Sequence, residues 1–104
     1  MRKTGYTVKS FLSDYIHYNN SGNRTGYSVQ ELGGMYIHYD SNSVRRGFSK
    51  PMPLGGYFHF NEDGAKMGYS TPVHGGGYFH YTVEGVKTGF STKTPGGGFF
   101  HYDD

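Results

Sequence analysis

One pattern of 21 residues recurs five times along the chain. Gly5, Gly26, Gly47, Gly68 and Gly89 stand 21 residues apart, and so do His17, His38, His59, His80 and His101. Around each Gly the order is basic-x-Gly-aromatic-Ser/Thr, as in Lys66-Met67-Gly68-Tyr69-Ser70. Around each His it is aromatic-apolar-His-aromatic, as in Tyr57-Phe58-His59-Phe60. A fixed period of this length means small supersecondary units, none able to bury its apolar face alone, that must cover one another. The 104 residues therefore read as one domain of five repeats, approximately 2–22, 23–43, 44–64, 65–85 and 86–104.

Each unit has β character. Tyr78-Phe79-His80-Tyr81 is short and aromatic, which suits a strand. A turn follows, with Gly22, Gly64 and Gly85 at one phase and Asp63-Gly64 as the best hairpin signal. The second strand is Ala65-Lys66-Met67-Gly68-Tyr69-Ser70 and its equivalents, and a Pro- and Gly-containing linker such as Thr71-Pro72-Val73-His74-Gly75-Gly76-Gly77 completes the unit. That Gly density excludes a stable helix, since each Gly costs about 1 kcal/mol against Ala. In the first copy Ser10-Phe11-Leu12-Ser13-Asp14 replaces the Gly-rich linker, which predicts a different loop there.

The expected fold class is all-β: five β-hairpin repeats closed into a five-fold ring, barrel- or propeller-like. The N-terminal strand, Arg2 to Thr7, and the C-terminal strand, Phe99 to Asp104, together make one more hairpin of the same pattern. Pairing them seals the ring and removes exposed strand edges. The alternative is an open β-hairpin solenoid, which needs polar end caps that this pattern lacks.

Composition bears on what fills such a ring. Leu, Ile, Val and Phe make only 19 of 104 residues, below the level of an ordinary core, whereas 19 residues are aromatic. Eighteen of those aromatics fall on four phases of the repeat, and the formal charge of +2 is too low for a charge-driven disordered chain. Ten basic and eight acidic residues spread along the chain give no electrostatic case for nucleic acid or a membrane surface. No Cys means no disulfide, no thiolate zinc site and no Cys nucleophile. No apolar run approaches the roughly 20 residues of a bilayer-spanning helix, and no signal peptide is legible, so the compartment is unknown and cytoplasmic by default.

The order aromatic strand, Asp/Asn-Gly turn, basic residue, Gly-aromatic resembles the short β-hairpin repeats of choline-binding and glucan-binding cell-wall modules. Gly56-Tyr57-Phe58-His59-Phe60-Asn61-Glu62-Asp63-Gly64-Ala65-Lys66-Met67-Gly68-Tyr69 shows it best, with Tyr or Phe where those families carry Trp and an added His in every copy. The resemblance implies hairpin repeats with aromatic binding pockets.

Strand alternation separates the candidate residues into two faces. The apolar phase Ile16, Ile37, Phe58, Phe79 and Phe100 is expected to face the core. The opposite face presents Tyr15, Tyr36, Tyr57, Tyr78 and Phe99 beside His17, His38, His59, His80 and His101. These ten, with Tyr6, Tyr27, Phe48, Tyr69 and Phe90, are the expected ligand-binding walls. An aromatic plate beside a hydroxyl, an imidazole and a cation suits a sugar, whose C–H face stacks on the ring while its hydroxyls find hydrogen bonds. The His array also reads as structural, each imidazole bonding a neighbouring group. Five single His in a ring do not match tetrahedral zinc, so no metal and no cofactor is expected.

Catalysis needs one asymmetric set of groups with separated pKa values, and five identical settings argue instead for multivalent binding. The expected function is non-catalytic: lectin-like binding of carbohydrate or cell-surface glycan. The alternative is a protein-interaction, inhibitor or scaffold role. A third class, phosphate-bearing small molecules or single-stranded nucleic acid, would use the basic residues, although Arg46-Gly47-Phe48 belongs to the repeat and is no nucleic-acid motif of its own. A closed ring is expected to be monomeric.

Overall fold

The repeats form ten antiparallel strands in a computed structural model that describes residues 2–10 and 14–103. Short aromatic strands are β2 (Tyr15–Asn19), β4 (Tyr36–Asp40), β6 (Tyr57–Asn61), β8 (Gly77–Thr82) and β10 (Phe99–Asp103). They alternate with longer Gly-aromatic-hydroxyl strands: β1 (Arg2–Lys9), β3 (Arg24–Gln30), β5 (Arg45–Pro51), β7 (Lys66–Val73) and β9 (Lys87–Lys93). Sequence neighbours are neighbours in space throughout, and β1 pairs with β10, so the sheet closes into a barrel. The five-fold ring is the fold. The substituted linker of the first copy lies in part, at 11–13, outside the described residues.

Closure needs each strand pair to bend, and the repeat supplies a bulge to do it. One residue of each long strand, Thr4, Thr25, Arg46, Met67 or Thr88, is skipped in the pairing, always beside the register of the His. Bulges add local twist and curvature. The seam between β10 and β1 carries the same bulge as the four internal hairpins, so it is built like them.

Hairpin turns repeat as closely. Gly22, Gly64 and Gly85 sit at φ of 86°, 86° and 92°, where a side chain is disfavoured, and Ser43 holds the same phase at φ 67°. Side-chain oxygens of Asn19, Asp40 and Asn61 accept backbone N–H groups of the turns that follow them.

The interior reverses the expected facing. Ile16, Ile37, Phe58, Phe79 and Phe100 point outward, and Lys3, Lys66 and Lys87 lie over the rings of Phe100, Phe58 and Phe79 at 4.1, 3.8 and 4.1 Å. The interior takes the other parity: the Gly5 and Thr7 phases from the long strands, and the Tyr15 and His17 phases from the short ones. The reason is volume. Each long strand alternates small and aromatic residues, and ten strands enclose too narrow a bore for the aromatic set and the Ile/Phe set together. The small set goes in and leaves room for imidazoles. No hydrophobic side chain is fully buried among the described residues; the buried side chains are Thr7, Ser28, Ser49, Ser70 and Ser91.

No helix of the described residues is long and apolar enough to cross a membrane. The strands run five to eight residues.

Candidate functional site: an axial cup and an outer aromatic wall

The period places a hydroxyl ten residues before every His: Thr7 and His17, Ser28 and His38, Ser49 and His59, Ser70 and His80, Ser91 and His101. Cross-strand pairing turns each hydroxyl and its His to the same inner face. Each hydroxyl then bridges two imidazoles, meeting Nδ1 of one and Nε2 of the one before it. The chain of contacts runs from Thr7 to His17, to Ser28, to His38 and onward, and returns from His101 to Thr7. Its ten hydrogen bonds measure 2.5–2.7 Å.

The donors balance. A neutral imidazole has one N–H to give and one nitrogen to receive; a hydroxyl donates once and accepts. Five of each supply ten donors for ten bonds, provided all five imidazoles adopt the same tautomer. Mixed tautomers would leave one hydroxyl facing two lone pairs with a single proton. The ring is therefore a one-way circuit that can run in either sense. Burial keeps the imidazoles neutral: His17 and His59 are pushed down to about 4 by desolvation and then by adjacent imidazoles, and His101 likewise. Burial lowers His38 and His80 as well.

One layer along the axis lies a second ring. Tyr15, Tyr36, Tyr57, Tyr78 and Phe99 meet each neighbour with centroids 5.7–6.3 Å apart and planes inclined by 46–70°. Their edge-to-face and tilted contacts are the favoured aromatic geometries. Tyr36 is pushed above the ordinary tyrosine range by burial first, then by the neighbouring Tyr15 and Tyr57. Tyr78 is raised by burial and by Tyr57 and Tyr15. This ring and the imidazole circuit together line an open cavity of about 160 Å³.

The remaining aromatics stand on the outside. Tyr6, Tyr27, Phe48, Tyr69 and Phe90 stack face to face on Tyr18, Tyr39, Phe60, Tyr81 and Tyr102, at 4.9–5.0 Å and 10–15° between planes. Four of the first-named rings have the basic residue of their own repeat near them: Lys3 at 5.8 Å, Arg24 at 5.3 Å, Arg45 at 5.6 Å and Lys87 at 5.7 Å for Tyr6, Tyr27, Phe48 and Phe90. Lys66 in the remaining copy lies over Phe58 instead. The Tyr27 hydroxyl donates to Ser43 of the next turn at 2.7 Å.

The fifteen expected wall residues therefore do not share five pockets. Tyr15, His17 and their equivalents converge on one axial cup, while Tyr6 and its equivalents form five plates on the other side of the sheet. Sequence reasoning passes over Thr7, Ser28, Ser49, Ser70 and Ser91 as individual site residues, yet their hydroxyls complete the imidazole circuit. The signal available was the constant ten-residue offset to His on a shared strand face. No protein-family model matches this chain, and none of the curated proteins or solved structures compared with it does.

Proposed function

We propose that the protein is a non-catalytic, multivalent binding protein of lectin-like character, taking carbohydrate or cell-surface glycan at five related sites on its outer wall. The observation that carries this reading is the set of five stacked aromatic pairs, repeated around the barrel and left half-exposed with basic side chains beside them. A half-exposed ring offers an apolar plate to the C–H face of a sugar, and neighbouring cations and turn hydroxyls offer hydrogen bonds to its rim. Five weak sites fixed on one rigid ring favour a surface that repeats its sugar, with avidity of roughly 10²–10⁴ over a single site.

Retention on immobilised polysaccharides, compared with titration of the matching free oligosaccharide, tests the reading. Tyr69→Ala with Tyr81→Ala removes one plate and should weaken surface retention while the protein stays folded. A protein that passes through every polysaccharide without delay would sink it.

A protein partner is the second reading, favoured by Leu32 and Leu54. These side chains are 98% and 96% exposed on linkers between β3 and β4 and between β5 and β6. Exposed aliphatic groups have no use for a sugar. Leu32→Asp with Leu54→Asp should abolish a protein contact and leave glycan retention untouched. Binding of phosphate-bearing compounds or single-stranded nucleic acid would show itself by steep salt dependence.

A further inference from the structure

The axial cup is separate from the outer wall, and its chemistry is different. No charged residue lines it. Every imidazole nitrogen and every Ser or Thr hydroxyl at its floor is already spent in the closed circuit. An ion or a polyhydroxyl compound entering the cup would leave its water and find no partner at the floor, with only the tyrosine hydroxyls of the wall in exchange, which is costly. The floor offers only the C–H edges of neutral rings, and the walls are aromatic.

Size narrows the occupant further. A dry cavity of about 150 Å³ accepts a single benzene ring, and this one is about 160 Å³. At the aromatic layer the five-fold pattern is broken once. Four positions carry a hydroxyl, and Phe99 carries none. Tyr36 has a hydroxyl-bearing ring against it on each side, whereas Tyr78 and Tyr15, which flank Phe99, have no hydroxyl between them. A ligand hydroxyl at that height would complete the set.

We propose that the axial cup binds one small neutral aromatic molecule carrying a single hydroxyl, a phenol in chemical class. The ring lies against the imidazole floor and the aromatic wall, and the hydroxyl pairs with those of Tyr78 and Tyr15 beside Phe99. The departure of Phe99 from the repeat is then the determinant of specificity.

Phenol itself is the probe, titrated into the full chain by calorimetry and followed in the amide and imidazole NMR spectra. Benzene, glucose and acetate serve as comparisons. The expected result is saturable binding of one phenol per chain, with shifts at the interior His and Tyr residues. Benzene should bind about tenfold more weakly, the worth of one neutral hydrogen bond, and glucose and acetate should leave those signals unmoved. Phe99→Tyr restores the residue of the other four copies and so preserves the fold. It should lower phenol affinity to the level of benzene and leave benzene affinity as it was. Tyr78→Phe, which removes a flanking hydroxyl, should reduce the preference for phenol in the same direction. Five phenols per chain, no saturation up to the solubility limit, or equal phenol affinity in Phe99→Tyr and the parent would each overturn the assignment.

Discussion

At the scale of single residues, the hydroxyl of each repeat matters more than its size suggests. Ser49 satisfies His38 on one side and His59 on the other. Ser49→Ala leaves two half-buried nitrogens without a partner and interrupts the circuit, for an expected loss of about 1–3 kcal/mol by denaturant unfolding. Ser49→Thr should cost far less, because Thr7 already does this work in the first copy with bonds of 2.7 and 2.5 Å. The circuit also sets a pH response. The folded chain keeps His17, His59 and His101 neutral down to about pH 4, whereas an imidazole in the unfolded chain takes up its proton near the ordinary value of 6.5. The unfolded chain thus binds more protons in between, so stability is complete above about pH 6.5 and drops as pH falls toward about 4. Each His that stays neutral contributes up to about 1.4 kcal/mol per pH unit. Unfolding midpoints at pH 7 and pH 5 check this, and equal stability at the two values would show that the imidazoles are not held neutral. The five His were legible as a periodic set open to a structural role. Their partners were not, because a Ser ten residues away acquires meaning only once the strand register puts Thr7 opposite His17.

At the scale of the hairpin, the recurrent Gly answers to its neighbour rather than to its own dihedral angles. A Cβ on Gly47 would run into the carbonyl oxygen of Phe60 across the β5–β6 pair, and Gly5, Gly26, Gly68 and Gly89 meet the equivalent oxygens. Gly47→Ala therefore forces β5 away from β6 and should cost about 1–3 kcal/mol, as overpacking does. Gly96→Ala, where the added methyl would meet nothing within 4 Å, should fall within about 0.5 kcal/mol of the parent. Thermal melts of the two variants separate steric from conformational causes. The basic position follows the same local logic. It is Lys where the short strand carries Phe58, Phe79 or Phe100, and the ammonium sits over that ring. It is Arg where that strand carries Ile16 or Ile37, and the guanidinium turns to Tyr27 or Phe48 instead. Strand, turn and linker could all be read from Gly and aromatic spacing, since those signals act within a few residues. Facing could not. Ile16 and Tyr15 are both apolar enough for a core, and the choice between parities depends on how much volume ten strands enclose once the ring has closed.

At the scale of the whole molecule, the seam is the point of greatest leverage. β1 is held by β10 on one side and β2 on the other. Removing residues 1–7 takes away one wall of the barrel, the Thr7 hydroxyl and two of the circuit's ten bonds. The shortened chain should unfold, or recruit a second chain along the opened edges. Light scattering beside a thermal melt decides it, and a monomer melting at the parent temperature would count against closure as the source of stability. The placement of side chains also has a calorimetric consequence. Serine, threonine and glycine occupy the buried positions while the aliphatic and aromatic surface remains partly wet. Unfolding then adds less apolar surface to water than in a domain with an oily centre, and exposes buried polar surface, which works in the opposite direction on heat capacity. Scanning calorimetry should give an unfolding heat capacity below the ordinary 12–15 cal/mol/K per residue. A small heat capacity flattens the curve of free energy against temperature, so this barrel would lose its stability slowly on warming and on cooling alike.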